Sequence, residues 1–294
     1  MRRFQIFLLA TAACIPGTAF AEEAADATVA ADDTANGEIV VFGQGQSRQV
    51  QEVRAKDIEI LAPGTSPLRA IEKLPSVNIQ SADPFGSYEW STRVTIRGFN
   101  QNQLGFTLDG IPLGDMTYGN NNGLHISRAV SSDNVGRTLV SQGSGSIGTQ
   151  STNNLGGTLE FLTADPNDVP ALTLIGTYGS SNTARGFARV RFGKDDGARG
   201  YASIQYQNAD KWKGEGVQRQ WMANAKVVVP LGDAEVTGYL SHSDRAEQDY
   251  QDLSQEMISR LGYNWDNYGP SQYALALLVA DIGANRGDSG ATPL

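Results

Sequence analysis

The stretch Arg93–Asp115, RVTIRGFNQNQLGFTLDGIPLGD, decides the fold. Two segments within it, Val94–Ile96 and Gly105–Leu108, alternate or concentrate apolar residues over a few positions. Such short runs with period-two alternation predict half-buried β-strands. The dipeptide Asp109-Gly110 directly after the second segment predicts a tight turn. The stretch therefore predicts a small β-unit with polar connections.

The N-terminus has the layout of a secretory signal. A basic start, Met1–Arg3, is followed by an apolar run over residues 4–15 and by the small-residue site Ala19-Phe20-Ala21. This order predicts a leader, residues 1–21, that is cleaved after Ala21. The apolar run is too short to be a membrane-spanning helix. We expect an exported protein.

Composition excludes several classes of function. The leader holds two of the 23 basic residues and none of the 32 acidic ones, so the mature chain carries 21 against 32 and a formal net charge of −11. An acidic chain argues against binding to nucleic acid. The single cysteine, Cys14, lies in the leader, and the two histidines, His125 and His242, are far apart in sequence. No catalytic residues, metal site or cofactor are predicted, and we expect no enzyme.

Residues 22–51 are rich in Ala, Asp, Thr and Gln, which predicts disorder. One apolar segment interrupts them, and it reads Glu38, Ile39, Val40, Val41, Phe42, Gly43. Two interpretations stay open for this segment. It is an edge strand of the following domain, or it is a strand available to the sheet edge of a partner protein.

Residues 52–165 predict a compact α+β domain. A helix is expected to begin at Ser66-Pro67, because serine caps helices and proline suits the first helical position, and to end before Pro75. Short strands are expected at the following ranges: 77–79, 94–96, 105–108, 138–140 and 158–162. Three polar loops, residues 81–91, 100–103 and 114–123, connect them. Loop aromatics are either ligand contacts or packing residues against a surrounding wall.

After Pro170 the pattern changes to longer alternating segments. They cover the following ranges: 171–178, 186–192, 201–207, 222–231 and 235–241. Strands of this kind are typical of a transmembrane antiparallel β-barrel, although a soluble β-sandwich would alternate similarly. Five strands do not close a barrel, which needs about eight. Residues 166–294 are therefore expected to be the start of a barrel, with a long loop and one or two short helices after residue 244.

The order of these features resembles the TonB-dependent outer-membrane receptor family. Ile96–Phe99 matches the I-R-G-F motif of its plug domain, and Leu108–Leu113 matches L-D-G-V-P-L. Leu74–Val77 and Leu155–Leu159 are similar to two further plug segments. The segment 38–43 looks like the TonB box. The resemblance implies a plug domain inside an incomplete β-barrel, in the outer membrane of a Gram-negative cell.

The resemblance also implies roles for individual residues. Residues 38–43 would bind TonB, which is driven by its inner-membrane energising complex. Arg97 would contribute to the plug–barrel lock, meaning ion pairs between plug and barrel. Its usual arginine companion is replaced here by Gln142-Gly143-Ser144. The implied ligand-binding residues of the apical loops are Phe85, Tyr88, Trp90, Asn100, Gln101, Asn102, Tyr118, Asn120 and Asn121.

The function implied by this resemblance is TonB-dependent active transport of a scarce ligand across the outer membrane. Siderophore, cobalamin, haem and oligosaccharide classes all remain open, and the surrounding lipid is a second partner. One alternative is a truncated plug protein that only binds TonB or ligand in the periplasm. Another is a secreted carbohydrate-binding β-protein, which would leave residues 38–43 and Arg97 without roles.

Overall fold

The computed structural model describes residues 50–116, 123–143, 150–151, 153–194, 197–250 and 253–266. All of them belong to one compact unit that begins at Gly43. The predicted leader, the segment 38–43 and the loop residues Tyr118, Asn120 and Asn121 lie outside the described residues. No helix among the described residues is long and apolar enough to cross a membrane.

The N-terminal domain, residues 50–165, combines short strands and helices as the sequence predicts. Its helices are α1 (Ala55–Glu59), α2 (Pro67–Ile71) and α3 (Ile126–Ala129). Its strands are β1 (Val50–Arg54), β2 (Val77–Gln80), β3 (Arg93–Ile96), β4 (Phe99–Asn100), β5 (Leu104–Leu108), β6 (Ile111–Pro112), β7 (Val135–Gln142) and β8 (Gly157–Thr163). Two 3-10 turns, Gln101–Gln103 and Ser132–Asn134, complete it.

Two sheets organise this domain. The larger is mixed, in the order β1-β7-β8-β5-β6, with β5 parallel to β8 and the other pairs antiparallel. The smaller is β2-β3-β4. Strand β1 begins at Val50, two residues before the boundary that the sequence suggests, because Val53 is buried against β7.

Local sequence explains helix α2 and the two tight turns. The Ser66 hydroxyl accepts a hydrogen bond from the Leu68 amide (3.3 Å), and Pro67 occupies the first helical position. Hairpin β5–β6 turns at Asp109 and Gly110, whose φ angles are 48° and 80°. Consecutive positive φ values define the primed turns that suit the right-handed twist of a hairpin. Arg97 and Gly98 form the same kind of turn between β3 and β4.

The domain has one apolar core that both sheets and α2 and α3 share. Its largest fully buried side chains belong to the following residues: Leu68, Ile71, Ile96, Leu104, Phe106, Ile126, Leu159 and Phe161. Three of these come from β3 and β5, within the stretch Arg93–Asp115. That stretch therefore forms the centre of the domain, as its alternation predicts.

The second part of the chain is an antiparallel meander of five strands, here named the meander sheet. Its strands are β9 (Ala171–Gly179), β10 (Thr183–Phe192), β11 (Arg199–Asp210), β12 (Val217–Leu231) and β13 (Ala234–Glu247). All five predicted strands are confirmed and are longer than predicted. The segment 244–247, predicted as loop, continues β13. Helix α4 (Gln255–Leu261) follows and ends at Gly262, whose φ is 95°.

The two faces of the meander sheet differ in chemistry. The inward face packs against the N-terminal domain and is polar, with Arg185, Ser203, Gln205, Asn224 and Lys226 buried. The outward face exposes apolar side chains, namely Leu172, Leu174, Val190, Phe192, Ile204, Trp221 and Leu240. Strands β9 and β13 have no further partner strand among the described residues. The fold is thus an α+β domain followed by an unclosed antiparallel sheet, which fits an incomplete barrel.

Candidate functional site

The loop over residues 81–91 is held in shape by one buried carboxylate. Asp83 accepts hydrogen bonds from the Ser81 hydroxyl (2.5 Å), the Ser87 amide (3.0 Å) and the Tyr88 amide (3.0 Å). Its side chain is almost fully buried. Because charge-assisted bonds to backbone amides are among the stronger hydrogen bonds, Asp83 fixes where Tyr88 and Trp90 are presented.

A polar cavity of about 310 Å³ lies between this loop, α3 and the end of β13. It is lined by Tyr88, Trp90, Arg128, Arg245, Glu247 and Asp249. The Tyr88 hydroxyl donates to the Asp249 carboxylate (2.6 Å). This hydrogen bond joins the loop to the segment that follows β13. Of the predicted ligand residues, the structure brings Tyr88 and Trp90 together here.

The two aromatic residues take different positions at the cavity. Trp90 is 37% exposed and presents part of its indole to solvent, whereas Tyr88 is 2% exposed. The Tyr88 ring also meets Tyr250 edge to face, with 5.9 Å between the ring centroids. Tyr88 therefore packs against Tyr250 and also lines the cavity.

Both arginines of the cavity are tied to neighbouring groups. The Arg245 guanidinium donates to the Ser87 carbonyl (2.9 Å) and the Ser127 carbonyl (3.0 Å), and lies 3.4 Å from the Glu247 carboxylate. Arg128 forms an ion pair with Glu89. Charges of both signs beside an exposed indole allow a polar ligand to find donors, acceptors and a stacking surface.

Aromatic residues from the segments that follow β11, β13 and α4 lie beside the cavity. The Trp212 indole NH donates to the Ala82 carbonyl (2.7 Å), so it contacts the same loop that Asp83 organises. The Trp212 ring lies 6.2 Å from the Tyr250 ring and 6.0 Å from the Tyr263 ring. This cluster connects the loop to segments more than 100 residues away in sequence.

The other predicted ligand residues that the structure describes lie apart from this cavity. Phe85 is half-buried, and its carbonyl accepts from the Ser66 amide (2.7 Å). Gln101 bridges two segments, because its side-chain oxygen accepts from the Val94 amide (3.1 Å) and its NH2 group donates to the Met116 carbonyl. The remaining two residues are the exposed Asn100 and Asn102 at the same turn.

Four cavity residues were not predicted: Arg128, Arg245, Glu247 and Asp249. Three of them, Arg245, Glu247 and Asp249, occupy alternate positions. Alternation of this kind is typical of residues on one face of a strand. The segment after residue 244 was predicted as a loop, and both of its faces are polar. Arg128 gave no local signal, since its role depends on contacts distant in sequence.

A second functional surface is the interface between α3, with the following 3-10 turn, and the meander sheet. The Ser131 hydroxyl lies 2.6 Å from the Gln205 side-chain oxygen, and the Ser131 amide donates to Asn224 (2.9 Å). The Asn134 side chain donates to the Ser203 hydroxyl (2.8 Å). Buried polar groups are stable only when hydrogen-bonded, so this network fixes one docking geometry.

Charged residues of the meander sheet add to this interface. The fully buried Arg185 side chain forms an ion pair with Asp133. The Arg189 guanidinium donates to the Asp133 carbonyl (2.8 Å). Lys226 donates to the Thr163 hydroxyl (2.8 Å) and lies 3.7 Å from the Asp109 carboxylate. Asp109 therefore serves a turn and also an electrostatic contact between the two parts of the chain.

Arg97, the predicted lock residue, contacts a different partner. Its Nε donates to the Gln142 side-chain oxygen (3.0 Å), and the Gln142 amide donates to the Pro75 carbonyl (2.8 Å). Among the described residues Arg97 has no ion pair. The ion pairs between the N-terminal domain and the meander sheet instead come from Arg185 and Lys226.

His125 caps the N-terminus of α3 at the same interface. Its Nδ1 accepts a hydrogen bond from the Ser127 amide (3.2 Å). Burial lowers the pKa of His125 to about 3, and the positive charges of Arg245 and Arg128 act in the same direction. The imidazole is therefore neutral near pH 7, which keeps the Nδ1 lone pair available for the cap.

An α+β domain that docks onto the polar face of a meander sheet with an apolar outward face is the arrangement of a plugged membrane barrel. Residues 43–158 match the family model of the TonB-dependent receptor plug domain. The chain carries the plug domain of the TonB-dependent receptors, and the family predicted from its motifs is confirmed. None of the curated proteins matches the sequence.

Solved structures of outer-membrane receptors share the fold. The pyoverdine outer membrane receptor FpvA from Pseudomonas aeruginosa PAO1 is 15% identical, with a TM-score of 0.55, over 76% of this chain and 32% of the receptor chain. The siderophore receptor PirA from Acinetobacter baumannii is 14% identical, with a TM-score of 0.51, over 75% and 36%. The chain thus spans about a third of the length of these receptors.

Proposed function

We propose that this chain takes part in TonB-dependent active transport of a small polar ligand across the outer membrane. The observation that carries the proposal is the docked plug, residues 50–165, which covers the polar inward face of a sheet with an apolar outward face. A lipid-facing wall and a domain filling its interior are what a gated pore requires. The function involves no chemistry on the ligand, and no enzymatic activity is proposed.

The ligand is proposed to bind first in the polar cavity beside Trp90. Its lining of an exposed indole and paired charges suits a ligand with many polar groups. We place siderophores first among the ligand classes, because the similar solved structures include siderophore receptors. Cobalamin, haem and oligosaccharides follow. Tyr118, Asn120 and Asn121 are proposed as further contacts, together with Phe85, Asn100, Gln101 and Asn102.

Energy for release is proposed to come from TonB through residues 38–43. Strand β1 begins seven residues after Gly43 and forms the edge of the plug's mixed sheet, paired only with β7 among the described strands. An edge strand is held by one ladder of hydrogen bonds. Force applied to residues 38–43 would therefore reach β1 first and would loosen the plug from this edge.

The test uses the full-length protein with residues 38–43 deleted, expressed in cells that lack their own receptor. Ferric pyoverdine is the first probe, and surface binding and uptake are measured separately. We expect binding to remain and uptake to be lost. Deletion of residues 24–29, of equal length in the same predicted disordered region, is the control and should leave uptake intact. Uptake by the variant lacking residues 38–43 would contradict the mechanism.

A further inference from the structure

A concave notch interrupts the outward face of the meander sheet. Gly176 and Gly186 are direct cross-strand partners at its floor, and a Cβ added to either would meet no atom within 4 Å. Tyr206 pairs with Gly186 on one side and with Trp221 on the other, and the two aromatic rings lie 4.5 Å apart. Together with Leu174 and Ile204 these residues border an open depression of about 380 Å³.

Two glycines lie directly opposite each other on neighbouring strands, on a face that also exposes large apolar side chains. Glycine weakens a strand and often marks a place where another group approaches the backbone closely. Neither Gly176 nor Gly186 has a positive φ, so backbone conformation does not require glycine at these positions. What the two glycines provide is open space between Leu174 and the Tyr206–Trp221 pair.

Arg219 is a cation on the same outward face, in the next row of cross-strand neighbours beyond the notch. Arg219 lies two residues before Trp221 on β12, about 7 Å along the strand, toward the end that carries the ligand cavity. It is exposed and has no ion pair among the described residues, and Asp244 faces outward beside Trp221, diagonally across from it. The row also holds Tyr178, Ala184, Asn208 and Ala246, and together with Asp244 it changes the surface from apolar to polar and aromatic. Such a change marks the membrane–water boundary of a barrel.

We propose that the notch binds one acyl chain of an anionic, phosphate-bearing membrane lipid, with Arg219 binding the phosphate. The inference rests on the proposed location in the outer membrane. Within a bilayer an acyl chain gains no hydrophobic free energy by leaving its neighbours. It gains dispersion contacts with the notch walls that would otherwise face a void, and the Arg219–phosphate pair selects which lipid stays.

The experiment measures lipid retained by the full-length receptor, purified from outer membranes in a mild detergent. Native mass spectrometry counts bound lipid per protein, and phosphorus analysis checks the total. Gly186→Leu fills the notch and should remove the retained lipid. Arg219→Gln leaves the notch open and should weaken retention about five-fold, the effect expected of one cation near a lipid head group.

Gly238→Leu is the matched control. Gly238 also points outward, and a Cβ there would meet no atom within 4 Å, but it lies outside the notch. We expect this variant to retain lipid as the natural protein does. Equal retention in the Gly186→Leu and Gly238→Leu variants would overturn the proposal, and so would undiminished retention after Arg219→Gln.

Two further outcomes separate this inference from the proposed function. A receptor that reaches the outer membrane but retains no phosphate-bearing lipid overturns the lipid site alone. A receptor absent from the outer membrane overturns the proposed function and the lipid site with it. Finally, Gly186→Cys adds a thiol to residues 22–294, which contain no cysteine. A disulfide-linked dimer of this variant in membranes would make the notch a protein contact and overturn the lipid assignment.

Discussion

Arg185 places a guanidinium with no exposed surface between the plug and the sheet around it. It pairs with Asp133 and donates to Gln205 (2.9 Å), while two of its other nitrogens have no hydrogen-bond partner. Removing one member of a buried pair leaves an uncompensated charge and costs about 3–5 kcal/mol. We therefore expect Arg185→Met to lower the free energy of plug unfolding by about that amount, measured by urea titration of the purified receptor.

The matched comparison for Arg185 is a double-mutant cycle. Arg185→Met combined with Asp133→Asn should recover part of the lost stability, since neither charge then remains buried alone. Arg219→Met, on the outward face of the same sheet, should change plug stability little. If the double variant is as unstable as the sum of the two single variants, the pair contributes nothing specific to the seating of the plug.

His125 should make the stability of the plug depend on pH. The pKa of its imidazole is about 3 in the folded protein and 6.5 without the surrounding structure, so the unfolded chain binds the proton first. Stability is then complete above pH 6.5 and is lost as the pH falls toward 3. We expect a loss of about 2 kcal/mol between pH 7.5 and pH 5 from this one group.

The readout for His125 is the slope of stability against pH, rather than stability itself. His125→Asn keeps an acceptor for the Ser127 amide at the cap, because asparagine is a good N-cap residue. It removes the titrating ring at the cost of some packing. Urea midpoints at pH 7.5, 6 and 5 should therefore fall less steeply for the variant. Parallel curves would show that His125 is not the group responsible.

At the scale of elements, β1 should be the first part of the plug to move. It pairs with β7 through five residues, with Val50 opposite Ser141. Directly opposite residues of antiparallel strands have Cα atoms about 4.5–5.5 Å apart, which suits a disulfide. We expect Val50→Cys with Ser141→Cys to block uptake when oxidised and to restore it after reduction, as measured with ferric pyoverdine in cells.

A second disulfide controls for a general loss of flexibility in the plug. Asn78→Cys with Thr95→Cys joins β2 to β3, because these two residues lie opposite each other in the smaller sheet. This bridge should leave uptake unchanged, because β1 stays free to leave β7. Normal uptake with the oxidised β1–β7 bridge would show that the plug opens without releasing its edge strand.

Elements were predictable from sequence where one face alone is apolar. The strand containing Phe106 and the alternating strand containing Ile204 were both found in this way. The first five residues of β12, 217–221, were missed, because Gln218 and Gln220 face the interior as polar residues and Arg219 faces outward. No local pattern distinguishes such a polar strand end from a loop.

The candidate site was less predictable than the fold, for a physical reason. Tyr88 was predicted as a ligand contact because it is a loop aromatic, but its hydrogen-bond partner Asp249 lies 161 residues away in sequence. The plug–barrel ion pairs implied for Arg97 depend on a second arginine, which this chain replaces with Gln142. In the structure Arg97 instead donates a hydrogen bond to Gln142. Contacts across the interface between plug and meander sheet depend on how the two parts dock. The pattern of apolar and polar residues within either part does not predict that docking.

For the whole molecule, the open meander sheet makes a prediction about the native protein. Strands β9 and β13 have free edges among the described residues, and the outward face exposes Leu172, Leu174 and Leu240. Within a membrane every backbone amide and carbonyl needs a partner, so only closed barrels span it with strands. A sheet of this kind in a membrane therefore needs further strands to close it, and the similar receptors are more than twice as long as this chain.

An antibody against residues 52–165, applied to fractionated cells, tests this requirement. We expect an outer-membrane band well above 31.4 kDa that migrates differently with and without heating, since folded barrels resist unfolding by detergent alone. Such a band would mean that the plug and the meander sheet belong to a closed barrel. A periplasmic band of about 29 kDa, the size left after removal of the leader, would mean that the apolar face has no bilayer to contact, and active transport by this chain would be refuted.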